Sequence, residues 1–412
     1  MTTNGSEHAD ALVQRNPVGR HRFSRRTALR AMAGGAVSGS LAFGAIPTIA
    51  RQSSFTEIEI ALLQVFSGPD HPAMRMIEAF NAQGAGVQVT GTSYGANYEE
   101  VMQRAQANIS AQIGPAIVVT GWKYALFADA ALNIVDLREV GGEATDAVLE
   151  RYRPWVVDIV RVGDKLAGLP FAVSTPSLYY NRDLFTQAGL DPEVAPATWE
   201  EVAEFAATLT AGSEIDGAVV GEVNEWTAQS FIQNNGGRVL NDEGKAAFDS
   251  DAAVSGMAVW DALRTDGHFL TMANDQMRPA FLAGNVPMYF TSVGSLAAIS
   301  SGAGFELGTA EFPATGEMAK SMPSGGNFLG VYTQDAGQQE AAWAFLDFAS
   351  STEGATIWNE TGYLVATTDE IPPLPGQEPA YVQMEAGLTN ETIWPGERGL
   401  EALSVFNDWM SR

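Results

Sequence analysis

The sequence predicts an α/β protein made of two lobes, and three observations support this. The chain has 412 residues, of which 46% are hydrophobic, enough to bury more than one sizeable core. Apolar strand-like runs alternate with helical repeats from residue 57 onward, which is typical of parallel strands joined by crossover helices. The polar segment Ser174-Thr175-Pro176 separates one apolar stretch from a new strand-like run. We therefore expect the chain to leave one α/β unit there and to enter another.

In the first unit we expect three strands, at 57–63, 87–89 and 115–120, and two helices, at 71–80 and 99–112. The second helix places apolar side chains at four-residue spacing, as one buried helical face requires. In open parallel sheets, ligands bind beyond the carboxyl ends of the strands. Here those ends run into loops that contain Phe66, Tyr98 and Trp122, so these loops are the first candidates for a binding site.

The second unit opens with a strand at 177–180 and a short helix that ends at Gly189. The next helix begins at Thr198, where Thr198-x-x-Glu201 forms a capping-box pattern. Later segments include an Ala/Met-rich helix that reaches Thr265, an amphipathic helix at 341–349 and a proline-rich loop at 372–379. The regular alternation of elements contains no internal repeat.

Charge and composition exclude several classes of function. The net charge is −26, and residues 52–412 alone carry 16 basic and 47 acidic side chains, a net of −31. Such a surface repels nucleic acid. Cysteine is absent, and only His71 and His268 lie beyond the first 50 residues. We therefore expect no disulfide, no metal site and no cofactor, and we interpret both histidines as solvated surface residues.

The first 50 residues resemble an export signal. The run Ser24-Arg25-Arg26-Thr27-Ala28-Leu29-Arg30 is a twin-arginine pattern, and a weakly apolar segment rich in Gly and Ser follows it up to Ala50. The alternative is an uncleaved membrane anchor, for which this segment is poorly apolar. We expect removal of residues 1–50 and a periplasmic, or otherwise extracytoplasmic, location.

The stretch from Pro170 to Glu201 carries the pattern P-F-x-x-S-T-P-x-L-Y-Y-N-x-D-x-F-x-x-A-G-L-D-P followed by P-x-T-W-x-E. It resembles the inter-lobe crossing of extracellular solute-binding proteins of ABC importers, family 1, in their sugar and glycerol-phosphate group. Phe281–Met288 resembles the family's F-x-x-G-x-x-A-M segment, and the Gly362-Tyr363-Leu364-Val365 run resembles T-G-Y-L-P with valine in place of proline. The resemblance covers about residues 57–400.

This resemblance implies a two-lobe, periplasmic-binding-protein-like α/β fold with a hinge and an interlobe ligand cleft. We assign 55–172 and 293–330 to the N-terminal lobe, and 173–292 and 331–412 to the C-terminal lobe. The hinge crossings are expected near Ala172–Thr175, Tyr289–Ser292 and Gly330–Gln334. The implied function is capture of a small-molecule carbohydrate by a monomeric receptor that docks on ABC permease subunits.

By position against the family, nine residues are candidates for ligand contact: Tyr98, Trp122, Ser174, Trp226, Ser292, Gly325, Gly326, Tyr363 and Arg398. Aromatic rings can stack on the C–H faces of a sugar, and Trp226 lies in a polar, loop-like setting. Each aromatic could instead be a core residue. The glycine pair could be only a turn, and Arg398 could be one half of a surface ion pair.

The ligand class has two interpretations. Arg398 could meet a phosphate through a bidentate bond, as in the glycerol-phosphate branch, so glycerol 3-phosphate or a glycerophosphodiester is one alternative. However, Trp122 stands where that branch has an acidic residue, which favours a mono- or oligosaccharide stacked on an indole. A secreted carbohydrate-active hydrolase is a remote alternative, since no G-x-S-x-G, P-loop or H-E-x-x-H motif occurs and we expect no catalysis.

Overall fold

The computed structural model describes residues 55–211, 217–222, 224–315, 321–389, 391–392, 394–395 and 398–410. The predicted twin-arginine signal lies outside these residues. From Ser53 onward the chain forms one compact unit. Among the described residues, no helix is long and apolar enough to span a membrane.

The described part contains thirteen strands, which we number in chain order: β1 Thr56–Leu63, β2 Val87–Gly95, β3 Ile117–Gly121, β4 Arg161–Val162, β5 Lys165–Leu166, β6 Leu169–Ser174, β7 Pro176–Asn181, β8 Val219–Gly221, β9 Met288–Ser292, β10 Leu307–Glu311, β11 Met322–Pro323, β12 Gly325–Val331 and β13 Leu388–Thr389.

The described part contains sixteen α-helices: α1 Pro72–Ala82, α2 Tyr98–Ser110, α3 Ala125–Leu132, α4 Leu137–Gly141, α5 Ala144–Leu149, α6 Pro154–Ile159, α7 Arg182–Gln187, α8 Trp199–Thr210, α9 Glu225–Asn234, α10 Asp251–Thr265, α11 Asn274–Leu282, α12 Leu296–Gly302, α13 Ala336–Ala349, α14 Thr352–Asn359, α15 Glu378–Gly387 and α16 Gly399–Met410. Short 3-10 helices lie at Gln64–Phe66, Trp122–Tyr124 and Val293–Ser295.

The first lobe is built on a five-stranded sheet with the order β2-β1-β3-β12-β6. Strand β1 runs parallel to β2 and β3, and helices α1 and α2 supply the two crossovers between these strands, as predicted. Strand β12 runs antiparallel to both β3 and β6. Ile60 and Val118 in the central strands are fully buried. The carboxyl ends of the parallel strands therefore open onto one edge of the sheet.

The second lobe is built on a four-stranded sheet with the order β10-β7-β9-β8. Strand β7 is antiparallel to β9 and β10, whereas β8 is parallel to β9. Its core is aromatic: Trp199 stacks on Phe231 with ring centroids 4.5 Å apart, and Phe231 meets Trp260 edge to face at 5.2 Å. Both tryptophans are buried. The molecule is thus a two-lobe α/β protein.

The helix that begins after Thr198 shows how the local sequence sets an element boundary. Thr198 Oγ1 accepts a hydrogen bond from the Glu201 amide at 3.2 Å, and Glu201 Oε2 accepts one from the Ala197 amide at 2.6 Å. The first bond is the one that the capping-box pattern predicts, whereas the glutamate reaches the amide of the residue before the N-cap. Helix α8 then buries Val202 and Leu209 against the second sheet.

The chain crosses between the sheets at three places, and two of them differ from those predicted. The first is Thr175, between β6 and β7, within the predicted range. The second lies between β10 and β12, because β10 still pairs with β7 in the second sheet. The third lies between α14 and α15, because α13 packs on β1 and α14 packs on α1, whereas α15 packs on β7 and β10.

The predicted crossings near Tyr289–Ser292 and Gly330–Gln334, and the lobe boundaries drawn from them, therefore do not match the sheet membership. The polar run after β9 and the end of β12 are genuine strand ends. A strand end in the sequence carries no information about which sheet receives the next element. The prediction therefore placed β10 in the first lobe and α13 in the second, whereas the structure has them the other way round.

Candidate functional site

Strand ends from both sheets meet at the first crossing. Ser174, the last residue of β6, and Ser292, the last residue of β9, bring their hydroxyl oxygens within 2.5 Å of each other. The Tyr179 hydroxyl donates to the backbone oxygens of Ser292 at 3.1 Å and Val293 at 3.3 Å. Two residues predicted from the sequence are thus joined by a hydrogen bond that links the two lobes.

The pair Gly325-Gly326 lies beside this link and presents its backbone to two indole rings. A Cβ on Gly325 would lie 2.8 Å from Trp226 Cζ2, and a Cβ on Gly326 would lie 2.9 Å from Trp122 Cζ2. Both glycines belong to strand β12, where they pair with β6, so the alternative that they form only a turn is wrong. The absence of side chains is what allows the two rings to approach from opposite lobes.

Each indole is positioned by a local helix start. Trp122 opens the 3-10 helix that follows β3 and is fully buried. Trp226 is half-buried and is the second residue of α9, whose N-terminus is capped by the side chain of Asn224. The sequence predicted a loop at Trp226 because polar residues surround it. Those polar residues are instead the cap and first turn of a helix.

Four polar side-chain atoms around the glycine pair are buried without a hydrogen-bond partner among the described residues: Trp122 Nε1, Trp226 Nε1, Ser324 Oγ and Asn327 Oδ1. A buried polar group that makes no hydrogen bond costs about 1–3 kcal/mol. Such groups are rare in folded proteins unless something else satisfies them. Two donors, one acceptor and one hydroxyl that can act as either therefore surround a single stretch of β12.

Two tyrosines complete this cluster. Asn327 Nδ2 donates to the Tyr98 hydroxyl at 2.8 Å, and the Tyr98 and Tyr363 hydroxyls influence each other electrostatically. Tyr363 also stacks on Trp358 with ring centroids 5.5 Å apart, and a Cβ on Gly294 would lie 2.4 Å from Tyr363 Cζ. Burial raises the pKa of both tyrosines well above the usual value, so both hydroxyls are neutral hydrogen-bonding groups.

A buried charge cluster lies next to both indoles, and the sequence analysis missed it. The ammonium of Lys123, which follows Trp122, bonds to the carboxylate of Glu225, which precedes Trp226, and lies 3.8 Å from Glu391 Oε1. The three side chains are 15%, 2% and 6% exposed. Nearby, the Thr291 hydroxyl donates to Glu222 Oε1 at 2.5 Å.

Burial governs the protonation of this cluster. It raises the pKa of Glu391 to about 7, although the neighbouring Lys123 opposes the shift. It lowers the pKa of Lys123, and the surrounding carboxylates act in the opposite direction. The only signal in the sequence that could have identified Lys123 is the scarcity of cations beyond residue 51, together with its position directly after Trp122.

Arg398 lies neither among the residues around the glycine pair nor in the charge cluster. Its side chain is 81% exposed and forms a bidentate pair with Glu401, one helical turn away. It lines an open, mainly apolar groove of about 610 Å³ beside α16, together with Trp394 and Trp409. The eight other predicted residues do gather around the crossing, at the ends of β6, β9 and β12 and in the adjoining helices.

No group of three or more metal-ligating side chains was found among the described residues. His71, which we expected to be a solvated surface residue, has two packing roles. Its Nδ1 accepts a hydrogen bond from the Ala73 amide at 3.1 Å and caps α1, and its ring stacks on Phe66 at 5.2 Å. Burial lowers its pKa to about 4, so the ring is neutral at pH 7.

Sequence comparison matches residues 68–356 to the family model of the bacterial extracellular solute-binding proteins. The sn-glycerol-3-phosphate-binding periplasmic protein UgpB of Salmonella typhimurium is 31% identical over 263 residues, which cover 60% of this chain and 56% of that protein. The chain thus spans little more than half the length of that relative. UgpB of Escherichia coli strain K12 is 29% identical over 313 residues, with 71% and 70% covered.

Three solved structures share the fold at a TM-score of 0.75. UgpB from Mycobacterium tuberculosis, in complex with glycerophosphocholine, is 20% identical, with 86% of this chain and 93% of that chain covered. An ABC substrate-binding protein from Listeria monocytogenes, in complex with cycloalternan, is 18% identical, with 87% and 93% covered. Maltose-bound MalE3 of T. maritima is 19% identical, with 86% and 94% covered.

Proposed function

Because the chain belongs to the bacterial extracellular solute-binding protein family, we propose that it is an extracytoplasmic receptor for a mono- or oligosaccharide. In this proposal the ligand is held between the two lobes at the crossing and is delivered to the permease subunits of an ABC transporter. The receptor acts as a monomer, requires no cofactor and performs no catalysis. Residues 1–50 direct its export by the twin-arginine route.

The observation that carries this proposal is the pair of indoles, one from each lobe, on the glycine pair of β12. A sugar presents apolar C–H faces and many hydroxyls, so its site needs aromatic surface and fixed hydrogen-bonding atoms. The unpartnered Nε1 atoms of Trp122 and Trp226 and the Oδ1 atom of Asn327 are such atoms. Ligand contact is assigned to eight of the predicted residues: Tyr98, Trp122, Ser174, Trp226, Ser292, Gly325, Gly326 and Tyr363.

A second candidate ligand class is glycerol 3-phosphate or a glycerophosphodiester. It is favoured by the glycerol-3-phosphate binding of the UgpB relatives and by the glycerophosphocholine complex of the Mycobacterium protein. Arg398 has no part in the site as proposed, because it is exposed and paired with Glu401. A phosphate in this cleft would therefore depend on Lys123 and on backbone amides.

The first test is a thermal-shift panel on the purified chain, with neutral sugars, polyols, glycerol 3-phosphate and glycerophosphocholine, followed by calorimetry on every hit. A ligand that binds only the folded state stabilises it by about 2.7 kcal/mol at a hundred times its Kd. We expect a shift with at least one neutral sugar and no formation of product after prolonged incubation. A shift with phosphate-bearing compounds alone would replace the favoured ligand with the second candidate.

Paired tryptophan variants then locate the site. Trp226→Phe removes the indole N–H and part of the stacking surface, so the affinity for the sugar should fall at least tenfold. Trp409→Phe is the matched control, since Trp409 is half exposed on α16 beside Phe248 and Phe406. Equal affinity of both variants and the wild type would place the ligand elsewhere.

A further inference from the structure

The buried charge cluster links the two lobes at the proposed ligand site. Lys123 belongs to the 3-10 helix after β3 in the first lobe, and its main partner Glu225 opens α9 in the second lobe. Glu391 follows β13 and approaches the same ammonium. Lys123 follows Trp122 and Glu225 precedes Trp226 in the chain, so the contact between Lys123 and Glu225 joins the same two segments that carry the indoles.

The carboxylates around Lys123 outnumber it. Besides Glu225 and Glu391, it is influenced electrostatically by Glu99 of α2 and by Glu222, which follows β8. The ammonium also lies over the ring of Tyr124, 5.6 Å from its centroid. One cation thus faces four acids that come from both lobes.

The lysine cannot leave these partners without a penalty. Glu225 and Glu391 are almost fully buried, and removing one partner from a buried ion pair leaves an uncompensated charge in a medium of low polarity. A phosphate ester would have to draw Lys123 away and would also bring its own negative charge close to the remaining carboxylates. Both effects oppose its binding.

A neutral polyhydroxylated ligand meets no such opposition. Its hydroxyls can donate to Asn327 Oδ1 and accept from the indole N–H groups of Trp122 and Trp226, all of which are buried and unpartnered. The phosphate dianion of an ester has only acceptor oxygens, so that group cannot itself satisfy Asn327 Oδ1, and only the remaining hydroxyls of the ester could do so.

We propose that Lys123, neutralised by Glu225 and Glu391, makes the cleft select uncharged polyhydroxylated ligands and reject their phosphate esters. This inference rests on the proposed function, since it names the ligand class of the same site. Lys123 is then a specificity-determining residue whose role is to hold the two carboxylates and not to bind phosphate.

The test uses matched pairs of compounds that differ by one phosphate: glucose and glucose 6-phosphate, trehalose and trehalose 6-phosphate, glycerol and glycerol 3-phosphate. Calorimetry with the wild-type protein at pH 7.5 should show binding of the neutral member of at least one pair, at least tenfold tighter than that of its ester. Tighter binding of the ester would overturn the inference and leave the receptor function intact. If neither member of any pair binds and no neutral sugar of the thermal-shift panel binds either, the proposed function falls, and this inference falls with it.

Variants identify the cause of the selectivity. Glu225→Gln and Glu391→Gln each free Lys123, so the affinity for the phosphate ester should rise at least tenfold and should fall again when Lys123→Met is added. Glu193→Gln is the matched control, because Glu193 is an exposed partner of Arg182 outside the cleft. An unchanged ratio of neutral to phosphorylated affinity in both cleft variants would exclude the cluster as the determinant.

Discussion

Addition of a single methyl group at Gly326 should strongly destabilise the fold. Its φ is +145°, and an added Cβ would lie 2.0 Å from the carbonyl oxygen of Ala172 on the neighbouring strand. A close C···O contact in a sheet is about 3.3–3.6 Å, so Gly326→Ala must push β12 and β6 apart by more than about 1 Å. Because the obstacle is backbone, no rotation of a side chain can relieve it.

The cost can be assembled from two terms. A residue held in a sparsely populated backbone conformation costs about 1–3 kcal/mol, and each ladder hydrogen bond lost where β12 pairs with β6 costs about 0.5–1.5 kcal/mol. With two such bonds lost the sum is about 2–6 kcal/mol, a large share of the 5–15 kcal/mol typical of a folded domain. We therefore expect Gly326→Ala to lower the free energy of unfolding by about this amount.

Urea denaturation of Gly326→Ala and of a matched control would measure the effect. Gly163→Ala is that control, because Gly163 also has a positive φ, +59°, but has no atom within 4 Å of its added Cβ. It should cost only about 1 kcal/mol, the backbone term alone. Equal losses in the two variants would refute the close approach of β12 to β6 at this point.

Three further predictions concern the same site. Gly325→Ala meets the movable side chain of Trp226 at 2.8 Å, so calorimetry should show at least a fivefold loss of sugar affinity with a stability loss below about 2 kcal/mol; unchanged affinity would contradict this. Burial raises the pKa of Glu391 from its usual 4.5 to about 7, so the folded state binds its proton more tightly, and stability falls as pH rises from 5 to 8. Glu391→Gln should remove that loss, worth about 3 kcal/mol, in urea titrations at both pH values; a parallel pH dependence would contradict this. Ser174→Ala deletes the bond to Ser292 between the lobes and should cost about 1 kcal/mol, and no loss would show that the bond is not formed in solution.

Local chemistry explains which parts of the fold could be predicted. The capping box at Thr198 and the polar break at Thr175 depend on neighbours within a few residues, and the structure places a helix start and a crossing there. The later crossings depend on which sheet receives β10 and α13. That choice is settled by packing between residues far apart in the chain, so the sequence pattern at Ser292 could not reveal it.

In the site, too, features set by nearby residues could be predicted from the sequence, whereas contacts between distant residues could not. The indoles at Trp122 and Trp226 could be nominated from position, but the charge cluster joins residues 102 positions apart, Lys123 and Glu225. The chain has 47 acidic residues beyond residue 51, so the sequence alone cannot distinguish a carboxylate of the site from one on the surface. An exposed arginine, Arg398, was nominated because its position suggested a phosphate partner.

Lys123 and Arg398 are two of the few basic residues beyond residue 51, and they differ in burial: their side chains are 15% and 81% exposed. Arg398 is exposed just before α16 and pairs with Glu401 in the first turn of that helix, and such surface pairs contribute little to stability. Lys123 is withdrawn from water between two lobes, where the desolvation of its charge must be balanced by Glu225 and Glu391. The buried cation therefore joins the two lobes through its contact with Glu225, whereas the exposed arginine pairs only with a residue three positions away.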